Sequence, residues 1–204
     1  MRHEARRPAD TIPLRGGHPA LDFVNTAGWH ASETPKEWLA DYGELAGWAA
    51  HAGLVAPAEA DALRARAAAA PAAAARALAR ATELREALYR VCQAFMARAE
   101  PAPADLALVD AARAESADHA RLAPTPTGYV LGWDDPVALD APYWRLGRAA
   151  AELLTGPDLP RLRQCESAPC GWLFLDRSRN ATRRWCSSEE CGNRERVRRH
   201  VARR

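Results

Sequence analysis

Four of the five cysteines in this 204-residue chain fall within 27 residues, as Cys165-x4-Cys170, a 15-residue spacer and Cys186-x4-Cys191. Two evenly spaced pairs suit a tetrahedral four-thiolate metal site. Each pair supplies two ligands from a turn, and the spacer folds back to join the pairs. Pro169 and Gly171 flank Cys170 and favour a tight knuckle. Two disulfides would need an oxidising compartment, and the polar residues Met1 to Arg7 lead into no apolar segment that would direct export. An iron–sulfur cluster would use the same ligands. The basic surroundings and the helix that follows favour one zinc ion. With Cys165, Cys170, Cys186 and Cys191 all engaged, the site is closed and structural, with no position left for a catalytic water.

The second group able to do chemistry is the arginines. All but one of the 28 basic residues are arginine, and Lys36 is the exception. From 161 to 204 there are 12 arginines against 5 acids, a charge of +7, so the preceding 160 residues carry −5 of the net +2. A basic segment on a mildly acidic body points to a polyanionic partner for that segment. At 100° per residue from Cys191, Val197 and Val201 fall at about 240° and 280°, and Arg199, Arg203 and Arg196 at about 80°, 120° and 140°. The valines are expected to face the finger and the arginines solvent, in reach of phosphates and, in a major groove, of guanine edges. Arg177, Arg179, Arg183 and Arg184 form a second basic cluster at a hairpin tip. A pairing of Glu195 with Arg199 is the plainer reading of the helix, but one acid does not neutralise three arginines.

These residues need elements to hold them. Gly171 to Leu175 reads as a strand, Asp176 to Asn180 as a turn and Ala181 to Trp185 as the returning strand, with Trp172, Phe174 and Trp185 as a small core. Ser187 or Ser188 caps a helix running to about Ala202, with acids in its first turn and arginines in its last. Upstream, residues 1–16 read as a mobile lead-in and Ala20 to Asn25 as a buried strand, which Asn25, Thr26 and Trp29 end in a turn. Thr34, Pro35 and Glu37 spell a capping box for a helix through Trp38, Tyr42, Leu45 and Ala49 that ends at Gly53. Further helices are expected from near Pro57, over Ala72 to Ala99, over Ala104 to Ala117, and from Asp140 to about Leu154. A β-hairpin joins Arg121 to Pro124 with Gly128 to Trp133. Leu84, Leu88, Val91 and Phe95 form the apolar stripe of the long helix, and Cys92 beside it reads as a small buried hydrophobe. The fold class is therefore α+β: a mostly helical domain with a small antiparallel sheet over 1–157, then a four-cysteine module of knuckle, β-hairpin and C-terminal helix over 161–204.

The chain holds no glycine-rich phosphate loop, no Gly-x-Ser-x-Gly elbow and no His-Glu-x-x-His pair. His3, His18, His30, His51 and His119 are scattered and read as surface or turn residues. No apolar run approaches the ~20 residues of a membrane span. A soluble, cytoplasmic protein that is not an enzyme is the expectation.

Arg183-Arg184-Trp185-Cys186-Ser187 followed by Cys191-Gly192-Asn193-Arg194 resembles the signature of the CGNR zinc finger, and Phe174-Leu175-Asp176 fits the same pattern. Gly17-His18-Pro19-Ala20-Leu21-Asp22-Phe23-Val24-Asn25-Thr26 resembles the start of the ABATE domain that usually precedes this finger. The resemblance implies a bacterial, stress-induced transcription regulator with zinc on the four cysteines, and leaves the roles of Gly192, Asn193 and Arg194 open. Three functions follow. The first is a regulator that binds double-stranded DNA through the finger, while the N-terminal domain dimerises or senses a small molecule. One finger binds weakly on its own, which favours a homodimer. The second is an RNA-binding or ribosome-associated module. The third is an enzyme with a structural finger.

Overall fold

The computed structural model describes residues 8–168 and 170–202. The lead-in before Pro8, with His3, and also Pro169 and Arg203 lie outside the described residues. The rest of the lead-in is packed, not mobile. Ala9 and Ile12 are fully buried, and Gly16 approaches α1 so closely that a Cβ there would stand 2.7 Å from Leu21 Cβ.

α1 (Pro19–Val24) occupies the segment read as a strand. His18 accepts a hydrogen bond from Ala20 N and Pro19 opens the first turn, so the end is capped as a helix. All but the first of its residues are buried, because other helices and the finger enclose it. A segment buried on every side has no periodicity, and a short apolar run then cannot be told from a strand. The segment with the capping-box spelling is likewise not helical. Ala27–Gly28 (β1) pairs with Lys36–Glu37 (β2) in a minimal antiparallel bridge, and α2 (Tyr42–His51) starts later, where the Asp41 carboxylate accepts from Glu44 N. Glu37 instead binds Arg85, as described below.

α3 (Pro57–Ala69), α4 (Pro71–Met96), α5 (Pro103–His119) and α6 (Ala141–Thr155) each begin at or one residue before a proline. Leu84, Leu88 and Val91 of α4 are buried as expected, whereas Phe95 near its end is 40% exposed. Cys92 is fully buried, and burial pushes its thiol up to about 12, so it is unreactive. α6 is the central helix and packs on α5, α4 and α1. Its Gly147 lets α5 approach, since a Cβ there would meet the Ala112 carbonyl oxygen at 2.3 Å. The hairpin of β3 (Ala120–Thr125) and β4 (Gly128–Trp133) pairs Leu122 with Leu131 and extends from the helices.

Two buried charges fix the region around α1. Arg85 of α4 is 4% exposed; it donates to both Glu37 oxygens at 2.8 and 2.6 Å, to Glu86 at 2.8 Å and to Thr26 at 3.1 Å. A buried guanidinium is tolerated because these acceptors replace its water. Asp22 accepts from Gly16 N at 2.7 Å, and burial pushes its carboxyl up to about 6. The fold therefore favours the protonated form. That contribution is complete below about pH 4 and is lost as pH rises through 6, on the order of 3 kcal/mol for a shift of about two units. Asp22→Asn keeps the acceptor without the charge. Its stability relative to the wild type should rise between pH 5 and 7 in thermal unfolding, with zinc present throughout. A difference that does not change with pH would show that Asp22 is not the titrating group.

Candidate metal centre and nucleic-acid interface

The finger does have a hairpin, but its strands are not the predicted pair. β6 (Leu173–Leu175) pairs antiparallel with β5 (Leu162–Gln164), upstream of the first cysteine. Residues 181–185 form no strand. They are held by Asp176, which is fully buried and accepts from Ser178 N, Ser178 Oγ and Arg183 N at 2.9, 2.6 and 2.9 Å. The first knuckle is thus the loop of the hairpin. Cys165 N donates to Trp172 O at 2.8 Å, and Cys170 N donates to Ser167 O at 2.7 Å. Gly171 stands at φ +70°, and a Cβ would lie 2.5 Å from Ala31 N, so glycine is required on both counts. In the second knuckle Ser187 accepts from Glu190 N at 3.2 Å, and a wide π turn over Ser188–Gly192 carries Cys191 inward before α7 (Asn193–Val201) begins.

The four Sγ atoms all lie within 4.8 Å of one another, and Cys170–Cys186 and Cys186–Cys191 are 3.7 and 3.6 Å apart. A tetrahedral zinc with ~2.3 Å bonds to sulfur requires sulfur–sulfur edges of about 3.8 Å. The residues therefore fit one zinc ion. Their acid–base chemistry agrees. Cys165 accepts thiol hydrogen bonds from Cys170, Cys186 and Cys191 and is held far below an ordinary thiol, and hydrogen bonding to Cys165 together with burial drives Cys170 and Cys186 far above it. Four thiolates share this space only around a cation, and a four-sulfur shell then leaves it no open position. Phe174, Trp172 and Trp185 pack on the cysteines as the small core.

The centre is bound into the helical domain by residues whose part in it sequence reasoning missed. Asn25, read as the end of a turn, is 1% exposed. Its side chain accepts from Leu173 N at 2.8 Å and donates to Leu173 O at 2.9 Å, as a neighbouring strand would. Thr26 is buried on Arg85, whereas Trp29 is 48% exposed at φ +52°. Gly16 O accepts from Leu175 N, and His30 N donates to Cys170 O. The Arg15 guanidinium holds the Glu190 carboxylate with both nitrogens, at 2.8 and 2.6 Å, and also offers a hydrogen bond to Cys186. His30 stacks on Tyr89 at 3.8 Å and binds Glu86 at 2.7 Å. Burial would raise Glu86, but the His30 hydrogen bond and the Arg85 charge outweigh it and hold the carboxyl at about 2. These contacts span 56 to 175 residues of sequence, and no local pattern could have shown them.

The arginines divide. Arg196 and Arg199 lie on the exposed surface of α7 and donate back to Ser188 O and Glu195 O. Arg177 is exposed and pairs with Asp158, Arg179 is exposed, and Arg184 is exposed while pairing with Glu166 and lying over Trp185. Arg183 turns inward. It donates to Trp185 O at 3.0 Å and Cys186 O at 2.6 Å, with its guanidinium 4.2 Å from the Phe174 ring centre. Arg183 braces the knuckle and is not available to a partner. Val197 and Val201 are 56% and 66% exposed and do not face the finger. The π turn shifts the phase of the helix from the assumed 100° per residue. α7 docks instead through Glu195, which accepts from Ser167 and Arg198, and through Arg198, which reaches Ala168 O at 2.8 Å. Of the signature residues, Gly192 lies under the Trp185 ring, where a Cβ would come within 3.1 Å, and Asn193 and Arg194 are exposed.

No described helix is long and apolar enough to cross a membrane. No curated protein matches the chain. Residues 17–157 match the ABATE family, described as "Putative stress-induced transcription regulator", and residues 161–204 match the CGNR zinc finger. The chain belongs to the ABATE family and carries at its C-terminal end a CGNR zinc finger whose four cysteines are placed to hold one zinc ion.

Proposed function

We propose that this protein is a DNA-binding transcription regulator rather than an enzyme, with the finger as its nucleic-acid contact. The observation that carries this reading is the exposed arginine surface of α7, where Arg196 and Arg199 project from a helix anchored at Cys191. Arg177, Arg179 and Arg184 lie on the same basic module, and their present acidic partners are exposed pairs that contribute little and exchange readily for phosphates. The family description supports transcription as the setting. A four-thiolate shell argues against metal catalysis, since no position admits a substrate or an activated water. A homodimer would double the phosphate contacts and offset the weak binding of one finger.

RNA is the second reading. Trp172 and Trp185 are half-buried against the cysteines and present no open stacking platform, which favours duplex DNA. The test is a salt titration of the zinc-loaded protein on duplex DNA and on single-stranded RNA of the same sequence. Duplex binding should be the tighter, with affinity falling steeply as salt rises. Tighter binding to RNA, or no binding to either, would reject the assignment.

A further inference from the structure

The finger and the helical domain do not close completely over the metal centre. A half-open cleft of about 170 Å³ lies between them, and three of the four cysteines contribute to its lining. Its apolar walls are Trp29, Trp38 and Trp172. Its polar rim is Lys36, Arg15 and Arg194. This gathers three of the seven tryptophans of the chain, its single lysine and the arginine of the CGNR signature in one place.

The chemistry of these groups is one-sided. Lysine, arginine and indole N–H donate hydrogen bonds and accept none. The carboxylate in the lining, Glu190, is held by both nitrogens of Arg15. Arg194 makes no ion pair among the described residues, and Lys36 lies over the Trp38 ring at 5.1 Å, held by the indole instead of by an acid. The cleft therefore offers flat aromatic walls and unmatched donors. The space suits one ring system, since a cavity of ~150 Å³ takes a benzene.

We propose that this cleft is a binding site for a small planar aromatic molecule bearing acceptor oxygens, of the class of an aromatic carboxylate. The ring stacks on the tryptophans and the carboxylate meets Lys36 and Arg194. Thiolates of the zinc-loaded centre repel such a group and leave the two cations as its partners. A cationic ring is rejected by Lys36 and Arg194, and an aliphatic carboxylate forgoes the stacking. Arg194 sits in the first turn of α7, so a ligand gripped there is in contact with the helix that bears Arg196 and Arg199. That consequence rests on the nucleic-acid reading, but the binding site itself does not.

The test uses the zinc-loaded full chain without nucleic acid, so its outcome is independent of whether the finger binds DNA. Benzoate, benzamidinium, acetate and a nucleoside monophosphate are titrated by calorimetry and by ligand-observed NMR. Benzoate should bind saturably, at roughly millimolar affinity for a fragment of this size, while benzamidinium and acetate do not. Lys36→Met with Arg194→Met should weaken benzoate at least tenfold while zinc content stays stoichiometric. Trp29→Asn should do the same, and asparagine tolerates the positive φ there. Absence of saturable benzoate binding, equal binding of benzamidinium, or unchanged affinity in both zinc-loaded variants would overturn the proposal. Binding of the nucleoside monophosphate without benzoate would also overturn it, and would assign the cleft to a nucleic-acid base.

Discussion

Replacing Cys186 with serine is expected to abolish stoichiometric zinc and to lower the melting temperature of the whole chain, not only of its last forty residues. Cys186 lies 3.7 and 3.6 Å from the Cys170 and Cys191 sulfurs, so its loss opens the shell at the junction of both knuckles. Structural zinc contributes on the order of 10 kcal/mol to the folding of small modules. A whole domain is stable by about 5–15 kcal/mol. Leu173 and Leu175 of β6 belong to the main hydrophobic core with Leu21, Phe23 and Trp48. Opening the centre therefore withdraws two leucines from that core and exposes their partners on α1. Elemental analysis with circular dichroism melting checks both halves of the expectation, and a chelator should reproduce the variant in the wild type. Loss of zinc with an unchanged main transition would mean that the finger folds separately from the body.

Asn25→Ala should be nearly as damaging, at about 2–5 kcal/mol. The side chain is the partner of both backbone groups of Leu173, and alanine leaves a buried N–H and a buried C=O unmatched, each costing about 1–3 kcal/mol. The zinc ligands are untouched, so zinc should still bind but be lost to a competing chelator at lower concentration. Denaturant unfolding measures the first effect and chelator competition the second. A cost below 1 kcal/mol would show that water replaces the amide and that the seam is looser than described.

The metal centre was legible because its signal is local. Ligand type and spacing are written within 27 residues, and any fold that closes the two pairs yields the same tetrahedron. Ser187 as a cap and the helices beginning near prolines were legible for the same reason, since their hydrogen bonds lie within one turn. What failed was long-range or lacked a period. α1 is buried all round and showed no helical alternation. Glu37 spelled a capping box, but the buried Arg85 claimed it from 48 residues away. β5 won the pairing with β6 because residues 181–185 are committed to Asp176 and the Phe174 ring. The face of α7 was misjudged because a π turn leaves no mark in a count of residues. Arg183 and Arg196 have the same residue type and lie in the same basic segment. Only the fold shows that one braces the knuckle and the other faces solvent.

The central claim is that the working surface of the finger is the exposed arginine face of α7, held in place by zinc. The most direct measurement is the salt dependence of duplex DNA affinity for the zinc-loaded wild type and for Arg196→Ala with Arg199→Ala. Each lost phosphate contact lowers the slope of log K against log salt by about 0.9. The double variant should bind more weakly and show a slope shallower by about two, with zinc content and melting temperature unchanged. An unchanged slope and affinity in a zinc-loaded, folded double variant would contradict the account.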